Sequence, residues 1–133
     1  MNDAEFLRAF DDCSLPNERF RHRDHLRLAW LRLRRDGAEA GSDAVRAGIR
    51  RYAAAHGAAD RYHETLTTFY LRLVTHAIAR RPEVDDFERF LVAFPLLLDT
   101  ALPSRHWGAE TMWSAQARAG WVEPDLLPLP PAR

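Results

Sequence analysis

A chain of 133 residues, 47% of them hydrophobic, suits one domain around one core and is too short for two. Acidic and basic residues balance at 19 each, so no net field draws nucleic acid, an anionic membrane or an acidic substrate. Every basic residue is an arginine and Cys13 is the single cysteine, which excludes a Schiff-base or P-loop lysine, an internal disulfide and a cysteine-built zinc site.

Phe6, Leu7 and Phe10 recur at helical spacing after Asp3, an N-cap residue type, and predict a short first helix ending near Ser14 and Pro16. After a polar loop, a second helix is expected from about His22 to Arg35, stopped by Asp36-Gly37. Its apolar stripe is Leu26, Ala29 and Leu33, with Arg23, Arg27 and Arg34 on another face. Ser42 or Asp43 can cap a third helix in which Val45, Ile49 and Tyr52 share a face and which Gly57 can close. The fourth and longest helix is predicted from about Arg61 to Arg80. Leu66, Tyr70, Leu73, Val74, Ala77 and Ile78 form its apolar side, and Thr65, Thr68, Arg72 and Thr75 lie opposite.

Asp85 and Glu88 resemble a capping box ahead of Phe87, Phe90, Leu91 and Phe94, so a fifth helix follows and Pro95 breaks it. Ser114 can cap a last short helix ending at Gly120. Trp121 to Arg133, with Pro124, Pro128, Pro130 and Pro131, reads as an extended strap. No segment alternates as a strand would. The expected fold is therefore all-α, a compact bundle of five to six helices forming one domain over 1–133, with the Pro-rich tail 121–133 packed on it.

Met1 to Phe10 carries Asp3 and Glu5 and lacks a continuous apolar run, so it does not read as a signal peptide. Phe90 to Leu98, the most apolar window, is interrupted by Pro95 and falls far below the roughly 20 residues of a membrane span. A soluble, cytoplasmic bacterial protein with a small-molecule partner and no nucleic-acid or membrane partner is expected. Oligomeric state is not legible.

The chemistry-bearing residues are the histidines. At 100° per residue His22 falls at the centre of the second helix's apolar stripe and His25 on its flank. In Tyr62-His63-Glu64-Thr65-Leu66-Thr67, a helix starting at Arg61 puts His63 in the middle of the apolar face with Thr67 one turn above. A titratable ring there needs a partner, because an unpaired buried polar group costs about 1 to 3 kcal/mol. Glu64 can orient that imidazole or act as general base, or it can simply be a first-turn carboxylate favoured by the helix dipole. His106, in Ser104-Arg105-His106-Trp107, lies where a loop can turn it and Arg105 toward a pocket rim. His56, just before Gly57, fits a helix C-terminus, and His76 fits a surface.

Known templates mostly fail. His63-Glu64 opens like a zinc-protease helix, but the residue four on from His63 is Thr67. No Glu-x-x-His pair, Gly-rich phosphate loop or serine elbow occurs. What remains is a tri-histidine site, His22, His25 and His63, holding one divalent metal such as zinc or iron. Glu64 or water would complete the set. A metal-free alternative uses His63 and Glu64 as a catalytic acid/base pair, with Tyr62, Thr67, Arg23, Arg105 and His106 binding substrate.

Phe20-Arg21-His22-Arg23-Asp24-His25-Leu26, Tyr62-His63-Glu64-Thr65 and Trp121-Val122-Glu123-Pro124-Asp125-Leu126 together resemble a family of small bacterial proteins. That resemblance covers nearly the whole chain and implies no activity, substrate or cofactor. The sequence thus predicts a protein that binds or converts a small molecule in a histidine-lined pocket between the second and fourth helices. The alternative is a non-catalytic regulatory or interaction domain whose histidines are structural.

Overall fold

Asn2, rather than Asp3, caps the first helix. Its side-chain oxygen accepts the Glu5 amide while the Glu5 carboxylate accepts the Asn2 amide, a reciprocal capping box at the head of α1 (Asp3–Asp11). In this computed structural model, which describes residues 1–129, seven α-helices follow one another and no strand forms among the described residues. They are α1, α2 (His22–Asp36), α3 (Ala38–Ala55), α4 (Glu64–Arg80), α5 (Phe87–Ala93), α6 (Ala109–Met112) and α7 (Ala115–Ala119). The all-α expectation holds. Among the described residues no helix is long and apolar enough to cross a membrane.

The described residues fall into two compact units, one spanning Met1–Tyr62 and the other starting at His63. In the first, α3 folds back on α2 through a single residue, Gly37, whose φ of 87° only glycine adopts without strain. The third helix therefore begins at Ala38 and not at Ser42, because Gly37 ends one helix and starts the next. Gly41 and Gly48 are buried on the inner side of α3. A core of Phe6, Phe10, Leu15, Leu26, Ala29, Leu33, Val45 and Tyr52 is fully buried. Half-buried Phe20 packs on this core, ring against ring with Phe10 and Tyr52 at 4.7 to 5.6 Å between the centroids of the three, and the Tyr52 hydroxyl donates to the Leu15 carbonyl at 2.6 Å. Arg32 is buried and donates to both carboxylate oxygens of Asp11, at 2.6 and 2.7 Å.

In the second unit α4 starts three residues later than periodicity predicts, at Glu64. Its buried face carries Thr65 and Thr68 beside Phe69, Val74 and Ala77, so the side expected to be polar is partly inside. Both threonines are satisfied: Thr65 donates to the Gly120 carbonyl at 2.8 Å and Thr68 to the Glu64 carboxylate at 2.8 Å. Asp86, one residue beyond the expected Asp85, caps α5, which ends at Ala93 ahead of Pro95 as anticipated. Ser114 caps α7 as expected, whereas α6 has no counterpart in the sequence reading.

Phe69, Trp107 and Met112 form a buried cluster in this unit, with Leu66, Tyr70, Leu73, Leu102, Trp121 and Leu129 packed around it. Residues 121–129 take neither helix nor strand. They are tied by Trp107 Nε1 donating to the Val122 carbonyl at 2.9 Å, and by the Leu126 amide donating to the His106 carbonyl at 2.9 Å. The last four residues of the expected strap, Pro130 and Pro131 included, lie outside the described residues.

Candidate functional site

His63 is the N-cap of α4 and not a residue within it. Its backbone is extended (φ −134°, ψ 105°), and its Nδ1 accepts the Leu66 amide at 3.1 Å, doing the work usually given to Ser or Asp. Its Nε2 meets the Met112 carbonyl at the end of α6. One tautomer satisfies both contacts, with the proton on Nε2 donated to Met112 and the Nδ1 lone pair turned to Leu66. His63 is 6% exposed, and its ring lies perpendicular to that of Trp113 at 5.5 Å between centroids. Burial pushes its pKa below the ordinary histidine value; the Met112 carbonyl works the other way and the Arg118 charge adds to the lowering.

With both ring nitrogens spent on backbone, a metal could bond His63 only by displacing one of them. Glu64 occupies the first turn of α4, where a carboxylate suits the helix dipole, and accepts the Thr68 hydroxyl. Thr67 donates to the His63 carbonyl at 2.8 Å, a local back-bond. Tyr62, at the end of the first unit, lies beneath the Arg50 guanidinium at 4.6 Å.

His22 and His25 belong to the first unit, in the opening turn of α2. His25 Nδ1 lies 2.8 Å from the Arg21 carbonyl, and its ring stacks on Phe20 at 3.9 Å. Burial pushes its pKa down; the Arg21 carbonyl opposes this and the neighbouring His22 reinforces it. Both His22 and Arg23 are half-buried. Among the described residues, no group of three or more His, Cys, Asp or Glu side chains is placed to hold a metal ion.

His106 is buried, with Nδ1 donating to the Leu127 carbonyl at 2.7 Å, and Arg105 is exposed, 3.7 Å from Asp99. His56 likewise bonds a carbonyl, that of Cys13, at 3.0 Å. Two members of the arginine stripe have local partners: Arg27 pairs with Asp3 at 2.8 Å and covers the Phe6 ring, and Arg34 covers Trp30. Tyr70 is no acid or base at neutral pH, since burial and then Asp99 push it up to about 12.

Sequence reasoning missed a shallow groove of about 470 Å³ in the second unit, lined by Arg81, Glu83, Val84, Glu88, Arg89 and Val92. Val92 is 80% exposed and Leu96 60% exposed. The available signal was Val92 itself, an apolar residue off the face that Phe87, Phe90 and Leu91 bury. The chain matches no protein-family model, no curated protein and no solved structure.

Proposed function

We propose that the chain is a non-catalytic interaction domain whose histidines are structural. The observation that carries this reading is the double engagement of His63 by the Leu66 amide and the Met112 carbonyl. A general base or metal ligand needs a free lone pair aimed at its target, and this ring has none. His25, His56 and His106 support the same reading, since each places a ring nitrogen on a backbone carbonyl. The small-molecule reading would rest on His63, and so it loses its central residue. Val92 and Leu96, exposed along α5 and the turn after it, are apolar side chains whose burial would favour a protein partner. A cytoplasmic setting belongs to the same proposal.

Two measurements on untagged protein test it. Elemental analysis after growth with zinc and iron is expected to find metal well below one equivalent. A photo-cross-linking side chain at Val92 is expected to give one discrete adduct in the host cell. That adduct should be absent when the cross-linker replaces exposed His76 and lost on Leu96→Asp. A full equivalent of bound metal, or no adduct from Val92, overturns the proposal.

A further inference from the structure

The helix α5 and the 3₁₀ turn after it, Pro95–Leu98, follow different periods, and each sets a charged residue beside an exposed apolar one. In α5, Arg89 and Val92 are three residues apart and so neighbours on one face, and both are exposed. In a 3₁₀ turn residues three apart eclipse one another, which aligns exposed Leu96 with half-buried Asp99, whose amide donates to the Leu96 carbonyl at 3.0 Å. The rise within each pair is similar, about 4.5 Å in the α-helix and about 6 Å in the 3₁₀ turn. In chain order this edge reads cation, apolar, apolar, anion: Arg89, Val92, Leu96, Asp99.

A strip of that order is complementary to itself when reversed. Laid antiparallel about a two-fold axis near Phe94, two copies bring Val92 against Leu96 twice and Arg89 against Asp99 twice, the isologous contact of a symmetric dimer. Asp99 has the capacity for it. One of its carboxylate oxygens accepts the Ala101 amide at 2.9 Å, and the other stands 3.7 Å from the Arg105 guanidinium, beyond hydrogen-bond reach. The groove beside α5 offers the incoming Leu96 a seat, since Val84 and Val92 line it. Glu83, Asp85, Asp86 and Glu88, all exposed, precede Arg89 and so fall at opposite ends of the antiparallel pair rather than against one another. The same four carboxylates oppose an anionic membrane or a nucleic acid at this edge.

We propose that the partner of this edge is a second copy of the chain, paired two-fold through Arg89, Val92, Leu96 and Asp99. This rests on the interaction reading above and names the partner it leaves open. The contact is small, in the class below about 1,200 Å² that stays transient, so the dimer exchanges and forms at high concentration.

Sedimentation equilibrium of the purified full chain from about 10 μM to about 1 mM should show monomer passing to a species of twice the chain mass. Leu96→Asp and Arg89→Glu, both at exposed positions, should each weaken that association about tenfold or more. Arg89→Glu and Asp99→Arg each set like charges opposite one another in their own dimers, yet an equal mixture of the two matches at both contacts. That mixture should dimerise where neither variant does alone. Helical circular dichroism equal to the parent's qualifies each variant; if Asp99→Arg fails it, the comparison of Arg89→Glu and Leu96→Asp with the parent decides. A chain monomeric up to about 1 mM, or a dimer that both of those variants leave unaltered, overturns the second copy as partner. If the photo-cross-linker at Val92 then captures a different protein in the host cell, the interaction reading stands without it; if it captures nothing, that reading falls too.

Discussion

Gly41→Ala isolates how closely α3 lies on α2. In an exposed helix interior the exchange stabilises by about 1 kcal/mol, because alanine gives up less backbone freedom on folding. Here a Cβ would stand 2.8 Å from the Arg32 carbonyl oxygen and 2.8 Å from the Leu33 Cα. Both are backbone atoms of α2 and cannot rotate away. Ordinary contact begins near 3.4 Å, so the two helices would have to part locally by about 0.6 Å. Arg32 is meanwhile pinned to Asp11, and Leu33 is 5% exposed. Overpacking of this kind costs about 1 to 3 kcal/mol. Set against the propensity gain, the net effect should be a measurable loss, about 1 kcal/mol and at most about 2. Urea unfolding followed by helical circular dichroism reads it as a lower midpoint at unchanged slope. Gly120→Ala, with no atom within 4 Å of its added Cβ, is the control and should be close to neutral. A Gly41→Ala protein as stable as the parent, or more so, would refute the close approach.

Tyr52→Phe should cost about 1 to 2 kcal/mol in the same assay, since it leaves the buried Leu15 carbonyl without the hydroxyl 2.6 Å away. No loss would mean that the bond is worth no more than its replacement by water. Melting temperature should fall on acidification. His25 and His63 both have folded-state pKa values below the ordinary one, so the stability they contribute is complete above about pH 6.5 and is lost as the pH drops through the folded values. A melting temperature that rises between neutral and mildly acid pH would contradict that sign. Deleting Trp121 onward removes the acceptor of Trp107 Nε1 and an aromatic of the Phe69–Trp107–Met112 cluster. Burying one such side chain is worth about 1.5 to 3 kcal/mol, so an unchanged melting temperature would show that the segment contributes nothing.

Where local rules act alone, the sequence was a good guide. Pro95 ends α5, Ser114 opens α7 and Gly37 closes α2, each through a property of that residue and its immediate neighbours. Reading failed where one residue did two jobs or where a polar side chain found a partner far along the chain. Gly37 serves as both stop and start, which hid the first turn of α3. Counting the fourth helix from Arg61 gave His63 a place on an apolar face, when its extended backbone puts it outside the helix. Thr65 is buried because Gly120 accepts its hydroxyl 55 residues later, and hydropathy patterning cannot see a backbone carbonyl. The same blindness applies to Met112, Leu127 and Cys13, whose carbonyls hold three of the histidines.

The one-residue joint at Gly37 also bears on how the first unit comes together. Closing a loop costs entropy that grows with its length, and here there is almost no loop to close. Once α2 and α3 have formed, their inner faces are already near one another, so their contacts link residues close in sequence, as between Gly41 and Leu33. Low contact order of this kind goes with folding in microseconds to milliseconds. The α2–α3 hairpin is thus the natural nucleus of the first unit, and α1, joined through Phe10 against Gly48 and Tyr52, condenses on a partner that already exists.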